Sequence, residues 1–278
     1  MKIIDTDELR KIEFDILSFV ADFCDKNNIT YYLCGGTMLG AVRHNGFIPW
    51  DDDIDIMLMR DDYERLIASF PVHDYYKIID NRIDSNYPFA FATVNDIRTY
   101  KYERKLRKKF TDSLCVNIDV FPIDTLPENE EERVSFYRRI RKEGNLLKCA
   151  TDCYGCGIGF FGTIRKNLAI SLFRICEFLH IVQAEKIVED FRLLAQKYTN
   201  VKSNLCGITS IAHYGTKEVN YKTSYSSIKH MFEGKMFNII SGYDTYLSQL
   251  YGDNYMTIPP IEMQKTHHVS DCYWRNEC

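Results

Sequence analysis

Two adjacent glycines between a short apolar run and a helix-like stretch constrain this chain most. The run ITYYLC ends at Cys34, Gly35 and Gly36 follow, and TMLGAVRH then has the composition of a short helix. Glycine permits a tight turn, and the first turn of a helix carries backbone N–H groups without intrahelical partners. Because the helix dipole favours negative charge at that end, the segment predicts a strand, a turn and an anion site.

Four aspartates follow within five positions, at Asp51, Asp52, Asp53 and Asp55. The stretch DIDIMLM alternates acidic and apolar residues, which predicts a strand with Asp53 and Asp55 on one face. Like charges this close repel one another. A solvated loop would explain Asp51 and Asp52, but two acids on a half-buried strand indicate a bound positive partner.

A later strand-like run, CVNIDVFPI, places another acid, Asp119, between apolar neighbours. Acids on one strand face, with a third on a later strand, suit divalent cations that prefer oxygen ligands. Two such ions can hold the attacking and leaving oxygens of a phosphoryl transfer. The acids therefore predict Mg²⁺ or Mn²⁺ with a phosphate-bearing substrate, although short acidic motifs also occur on plain surfaces.

Composition limits the class of protein and its partners. The 278 residues, 45% of them hydrophobic and 27% charged, are typical of a globular protein with one large or two small domains. A net charge of -4 provides no overall positive field, so nucleic acid is not expected as a partner. Neither a signal-peptide pattern nor a run of about 18 uncharged apolar residues occurs. We therefore expect a cytoplasmic protein whose ten cysteines are reduced thiols.

The order of predicted elements indicates an α/β fold of the α+β type. Apolar spacing predicts an amphipathic helix over residues 5–27, and strand-like runs surround the acids. A helix-rich stretch follows, and strand and turn signals then return, including a hairpin at Glu233-Gly234. We divide the chain into a catalytic core with a mixed sheet, a helical insertion, and a C-terminal strand and helix segment that completes the site, at residues 1–127, 128–202 and 203–278.

The run from Gly35 to Leu58, GGTMLGAVRHNGFIPWDDDIDIML, resembles the LicD family of the nucleotidyltransferase superfamily, to which fukutin and fukutin-related protein are similar. NIDVFPID around Asp119, FEGKMFNIISGYDTYLSQLYGDNYMTIPP and the later QKTHH resemble the same family, so the likeness covers residues 8–125 and 230–268. It implies a nucleotidyltransferase-like fold with a glycine turn at a helix start, an acid pair on the next strand and a third acid on a later strand.

This resemblance also implies an activity. LicD-like enzymes move a phosphorylated alcohol, such as phosphocholine, from a CDP-linked donor to a glycan hydroxyl and release CMP. The acceptor would be a cell-surface glycan or its precursor, which can be lipid-linked. Such a role would bring a cytoplasmic protein to the inner face of the membrane, with peripheral membrane contact.

The resemblance assigns roles to individual residues. Asp53, Asp55 and Asp119 would hold Mg²⁺ or Mn²⁺ and carry the catalysis. Asp51 would be a further ligand, and Asp119 would also take the proton of the acceptor hydroxyl. The residues expected to contact phosphate or substrate are Gly35, Gly36, Thr37, Arg43, His267 and His268.

Two other functions are open on the same residues. A nucleotidyltransferase that moves NMP from an NTP to a sugar or small molecule would use the same acids. A non-catalytic binding protein on this fold would be expected to lack one of the three acids, and all three are present.

Three further segments have two interpretations each. The basic stretch 98–110 is a solvated face, which we favour, or a contact for donor phosphates or anionic lipid. Cys149, Cys153 and Cys156 have part of a zinc-site spacing, but the pattern is incomplete and free thiols are favoured. The apolar stretch 158–182 is a core helix or a homo-oligomer face, which we favour over a helix that lies on a membrane.

Overall fold

The structure is a computed structural model that describes residues 2–155, 159–211, 215–264 and 270–275. Its α-helices are α1 Thr6–Lys26, α2 Gly35–His44, α3 Arg60–Ser69, α4 Lys108–Thr111, α5 Glu130–Thr151, α6 Gly159–Phe178, α7 Ala184–Ala195 and α8 Tyr243–Tyr251. Its strands are β1 Lys2–Ile3, β2 Tyr32–Leu33, β3 Asp55–Met59, β4 Tyr76–Ile79, β5 Ala92–Asp96, β6 Thr99–Glu103, β7 Val116–Thr125, β8 Leu205–Ile208, β9 Asn220–Tyr221, β10 Ser227–Phe232, β11 Lys235–Ile240 and β12 Ser270–Trp274. This order confirms the predicted α+β class.

The central sheet is mixed and has the strand order β2-β3-β7-β5-β4. Strands β3 and β7 run parallel, whereas the other neighbours in this order are antiparallel. β8 continues the sheet along the last residues of β7, and β9 pairs with β8. Ile56, Met57 and Leu58 of β3 are all buried, as expected for a strand that is covered on both faces.

Helix α1 packs on β7 and β5 of the central sheet. Asp5 caps the helix, because its carboxylate accepts a hydrogen bond from the amide of Glu8 at 2.9 Å. Ile16, Leu17 and Val20 are fully buried in the same hydrophobic core as the central strands. The helix predicted over residues 5–27 is therefore confirmed.

A small sheet and a hairpin complete the strands. In the small sheet, β12 lies between β1 and β6 and is antiparallel to both. Strands β10 and β11 form a hairpin whose turn residues Glu233 and Gly234 have φ values of 48° and 78°. Positive φ at both positions is typical of the tight turns that match strand twist. The predicted hairpin is confirmed.

Helices α5, α6 and α7 form the helix-rich middle of the chain. Asn129 caps α5 by accepting a hydrogen bond from the amide of Glu132 at 2.9 Å. Phe136 and Ile140 of α5 share a hydrophobic cluster with Phe191 of α7, apart from the main core. Ala90 and Leu126 from the preceding part of the chain belong to the same cluster, so the middle helices share this core with it. The domain boundaries stay a prediction.

Helix α6 does not take the buried place that its apolar sequence suggests. Among the described side chains of α6, Ile170 and Phe173 alone are buried. Phe161 and Phe178 are 83% and 82% exposed. The interpretation of this segment as a core helix is therefore wrong, because neighbouring elements cover one side of the helix and leave its other apolar side in solvent.

A buried ion pair joins the beginning of α3 to the end of β7. Arg60 donates hydrogen bonds to both carboxylate oxygens of Asp124, at 2.8 and 2.7 Å. Asp124 is fully buried and also accepts from the hydroxyl of Thr209 at 2.9 Å. Because Arg60 directly follows β3, this pair helps to hold β3 and β7 in register.

Replacement of Arg60 by methionine should lower the free energy of unfolding by about 3–5 kcal/mol, because Asp124 would become a buried charge without its partner. Lys229→Met is the control, since the Lys229–Asp25 pair is exposed and should contribute less than about 1 kcal/mol. Urea unfolding followed by circular dichroism measures both values. Similar small losses in the two variants would show that the buried pair does not secure the strands.

Candidate active site

Two of the predicted acids lie side by side in the central sheet. Asp55, the first residue of β3, is paired with Asp119 of β7 in parallel register. The amide of Asp119 also donates to the carbonyl of Ile54 at 3.0 Å. Strand pairing begins at Asp55, so Asp53 lies in the segment before the strand and not on a shared strand face as predicted. The structure thus brings Asp55 and Asp119 together across two neighbouring strands.

The glycine turn lies directly against these acids. Gly35 has a φ of 52°, a left-handed conformation that favours glycine. A Cβ atom on Gly35 would lie 3.4 Å from Oδ2 of Asp55, and one on Gly36 would lie 2.6 Å from Oδ2 of Asp51. The first turn of α2 therefore touches two carboxylates, at the helix end where the dipole stabilises negative charge.

Hydrogen bonds hold the start of β3 to the same turn. The hydroxyl of Thr37 accepts from the amide of Asp55 at 2.8 Å, and the amide of Cys34 donates to the carbonyl of Asp55 at 3.1 Å. Thr37, which the sequence predicts as a phosphate contact, therefore positions an acidic residue. Its hydroxyl proton is not used by that bond and can be donated to a ligand.

Negative charge accumulates around Asp55. Burial raises the pKa of its carboxyl well above the ordinary range, and the charges of Asp53, Asp119 and Asp51 add to the effect. A bound cation would offset this repulsion, and carboxylate oxygens are the ligands that Mg²⁺ and Mn²⁺ prefer. In the described residues, no three His, Cys, Asp or Glu side chains converge closely enough to hold a metal ion by themselves.

A polar chain that the sequence analysis missed leads from β6 to Asp119. Nζ of Lys101 donates to Oδ1 of Asn117 at 3.2 Å, and Nδ2 of Asn117 donates to Oδ1 of Asp119 at 2.7 Å. Burial lowers the pKa of Lys101, but the charges of Asp119 and Glu13 outweigh it and the pKa is raised. The chain therefore orients Asp119 and holds a positive charge near the acids.

Glu13 belongs to the same group of charges. It is buried, 1% exposed, on the apolar side of α1. Burial raises its pKa well above the ordinary range; Lys101 opposes the shift, whereas Asp53 adds to it. The sequence contains a signal for Glu13, because this acid lies at a position where the helix spacing predicts a buried residue.

A second buried acid, Glu218, lies behind the glycine turn. The hydroxyl of Tyr246 accepts from the amide of Gly35 at 3.3 Å. Glu218 lies near both Tyr246 and Cys34, and when ionised it adds to the raised pKa values of these two groups. Oε2 of Glu218 has no hydrogen-bond partner among the described residues. Burial raises the pKa of Glu218 to about 8, so this carboxyl is mostly protonated at neutral pH.

The remaining predicted contacts lie farther along the chain. Arg43 is near the other end of α2, where its guanidinium donates to the carbonyl of Tyr255 at 2.7 Å. His267 and His268 lie outside the described residues. The phosphate-binding roles of these three residues stay predictions.

The basic segment 98–110 is largely engaged in ion pairs. Arg98 pairs with Asp96, and Arg104 pairs with Asp271. Arg107 and Lys109 both pair with Glu177 of α6, and Lys109 also pairs with Glu185. Much of the positive charge in the segment is therefore neutralised within the protein.

The cysteines near the start of the helical insertion are thiols in the structure. Cys149 and Cys153 are half-buried, and Sγ of Cys153 donates to the carbonyl of Leu106 at 3.0 Å. Cys156 lies outside the described residues. Zinc binding by this group of cysteines therefore stays untested.

Comparison with known proteins identifies the family. The model of the LicD/FKTN/FKRP nucleotidyltransferase domain matches residues 28–143. The lipopolysaccharide cholinephosphotransferase LicD of Haemophilus influenzae is 30% identical over 280 residues, which covers 98% of this chain and 99% of that protein. The chain belongs to the LicD family. Because LicD family members are phosphotransferases, the chain is assigned to that enzyme class.

Two more distant relatives share shorter segments with this LicD family member. An uncharacterised protein of Rickettsia typhi is 34% identical over 120 residues, 42% of this chain and 36% of that protein. The human ribitol 5-phosphate transferase FKRP is 39% identical over 44 residues, 16% of this chain and 9% of that protein. The matched LicD domain contains the glycine turn, Asp55, Lys101 and Asp119, whereas Glu13 and Glu218 lie outside it.

Replacement of Asn117 by alanine should lower kcat for phosphotransfer about 10–100-fold, because Asp119 would lose the amide that orients it. The KM for the donor should change little, because Asn117 acts on Asp119. Asn145→Ala, at an exposed position of α5, is the control and should match the wild type. An unchanged kcat in Asn117→Ala would exclude a positioning role.

The pH dependence of the free energy of unfolding should show that the fold keeps Glu218 protonated. An unfolded chain ionises a glutamate near the ordinary pKa of 4.5, whereas the fold keeps Glu218 protonated up to about pH 8. Burial of Glu218 therefore lowers the free energy of unfolding progressively as pH rises through that window. Glu218→Gln should remove this loss, so the variant should gain stability relative to the wild type between the two pH values.

Glu64→Gln provides a control of opposite sign. Burial of Glu64 is outweighed by hydrogen bonds from Arg82 and Arg60, and its pKa is lowered. This variant should be less stable than the wild type at neutral pH, with a deficit that shrinks as pH falls below 4.5. Urea unfolding at pH 4.5 and pH 8 measures Glu218→Gln, and urea unfolding at neutral pH and below pH 4.5 measures Glu64→Gln. A constant difference between Glu218→Gln and the wild type would show that the fold does not keep Glu218 protonated.

Proposed function

We propose that this LicD family member is a metal-dependent phosphotransferase that moves phosphocholine, or a similar phosphorylated alcohol, from a CDP-linked donor to a glycan hydroxyl. The acceptor would be a cell-surface glycan or its precursor. The observation that carries the proposal is the pairing of Asp55 with Asp119 beside the glycine turn. The relation over almost the whole chain to a lipopolysaccharide cholinephosphotransferase supports the choice of the transferred group and of the acceptor class.

Mg²⁺ or Mn²⁺ would be held by Asp55 and Asp119, with Asp53 and Asp51 as further acids near the ion. Since the described acids do not form a complete metal site alone, donor phosphate and water would supply the other ligands. Mg²⁺ is commonly bound in this way, through one or two carboxylates and substrate phosphates. When bound, the ion would offset negative charge on the diphosphate.

The protein would bind and orient the donor and the acceptor, and it would take the proton of the acceptor hydroxyl. The acceptor hydroxyl oxygen attacks the phosphorus that carries the alcohol, and a new P–O bond forms. The bond from that phosphorus to the bridging oxygen breaks, and CMP leaves with the bridging oxygen. Asp119, oriented by Asn117, takes the hydroxyl proton. Backbone N–H groups at the start of α2 would bind the diphosphate, because they point towards the end of the helix that favours anions.

A donor screen tests the proposal. The protein is incubated with Mg²⁺ or Mn²⁺, a lipopolysaccharide oligosaccharide, and CDP-choline, CDP-ribitol, CDP-glycerol or CDP-ethanolamine. We expect CMP release and a phosphodiester on the oligosaccharide with one donor, and loss of both when EDTA removes the metal. Asp53→Ala and Asp119→Asn should reduce the rate to background. Asp61→Asn, an exposed acid in the first turn of α3, is the control and should keep the wild-type rate.

Two outcomes would replace the proposal. Pyrophosphate release from CTP or ATP, without CMP from any CDP-alcohol, would show nucleotidyl transfer. Calorimetric binding of a CDP-alcohol without turnover, unchanged in Asp53→Ala, would show a binding protein on the same fold.

A further inference from the structure

The outward side of α6 is a continuous apolar surface. Three of its side chains, Phe160, Leu168 and Leu172, are 75%, 67% and 64% exposed. We call this surface the α6 face and define it by its large exposed apolar residues, which are Phe160, Phe161, Ile164, Leu168, Leu172, Ile175, Phe178 and Leu179. Contiguous apolar surface of this kind is uncommon on soluble monomers and marks an interaction site.

The residues of the α6 face lie on one side of the helix, as in helices that lie at a membrane surface. At about 100° per residue, its members fall within an arc of about 120° around the helix axis. No Lys, Arg, Asp or Glu falls within this arc; Arg165 borders it on one side and Arg174 on the other. An apolar face bordered by long cationic side chains is typical of helices that lie at a bilayer surface.

The sequence segment that contains α6 is positively charged, in contrast to the whole chain. Residues 138–178 contain eight Lys and Arg against three Asp and Glu, within a chain of net charge -4. Two of the three acids are paired within the protein, Asp152 with Lys166 and Glu177 with Arg107. Arg165 is exposed at the border of the α6 face, whereas Arg139 of α5 lies beside α7 and the guanidinium of Arg141 lies near Gly215.

This positive charge favours an anionic lipid surface over a second copy of the chain as the partner of the α6 face. A second copy of the chain that docks through the same helices would bring positive segments together, which costs free energy. An anionic lipid surface instead attracts the cations while its acyl region accepts the apolar side chains. In the described part of the chain no helix is long and apolar enough to cross a bilayer, so α6 would lie along the surface.

We propose that the α6 face binds the surface of an anionic lipid bilayer, with α6 parallel to the membrane plane and the exposed Arg165 at the headgroups. This proposal does not depend on which donor the enzyme uses. The homo-oligomer face that the sequence analysis favours stays a prediction, and the sedimentation experiment below distinguishes it from membrane binding.

Vesicle flotation tests the proposal directly. The full chain is mixed with vesicles of phosphatidylglycerol and phosphatidylcholine in equal parts, or of phosphatidylcholine alone. We expect flotation with the anionic vesicles, at least about tenfold weaker binding to the neutral ones, and weaker binding as salt concentration rises.

Matched variants separate the contribution of the apolar side chains to vesicle binding from that of Arg165. Leu168→Ser/Leu172→Ser should reduce binding to anionic vesicles at least about tenfold, because two apolar side chains would no longer enter the bilayer. Arg165→Gln should reduce it by a smaller factor. Val72→Ser/Ile83→Ser removes two exposed apolar side chains outside the α6 face and should bind like the wild type. Circular dichroism should be the same for all variants, since every substituted side chain is exposed.

Three results would overturn the proposal. One is no flotation with anionic vesicles, and another is equal binding by Leu168→Ser/Leu172→Ser and the wild type. The third comes from sedimentation without lipid: a dimer that this double variant converts to a monomer would show that the α6 face joins two copies of the chain.

Discussion

The parallel pairing of β3 with β7 is the constraint on which the candidate active site depends. It sets Asp55 against Asp119 in one register, and a slip by one residue would turn one of the acids to the opposite side of the sheet. Parallel neighbours need a long connection, which here includes α3, β4, β5 and β6. The buried pair of Arg60 and Asp124 secures the other end of the same two strands.

Several features limit the repulsion that this arrangement creates. The first turn of α2 presents its dipole to the carboxylates, and the Lys101–Asn117 chain holds a positive charge near Asp119. Glu13 and Glu218 are buried acids with raised pKa values, so both favour the neutral form. These features offset part of the repulsion between the aspartates, and a bound cation would offset more of it.

Much of the fold near the site could be predicted because the information is local. Glycines, alternation and helix spacing act over a few residues, and α1, the glycine turn and the β10–β11 hairpin all follow from them. Lys101 could not be singled out, because its contact with Asn117 depends on how strands of two different sheets meet. Glu13 was detectable as an acid on an apolar helix side. The periodicity of α6 fits a core helix and a surface helix equally well, so only the structure separates these possibilities.

Strand β12 has a consequence for the handling of this protein. It is the middle strand of its small sheet and pairs along the whole of β6, the strand that carries Lys101. Proteolytic loss of residues 270–274 would leave β6 with an open row of backbone donors and acceptors, and such edges pair readily with strands of other molecules. A preparation trimmed at this point would therefore tend to aggregate through β6 and lose the orientation of Asp119, although its main hydrophobic core would be nearly complete.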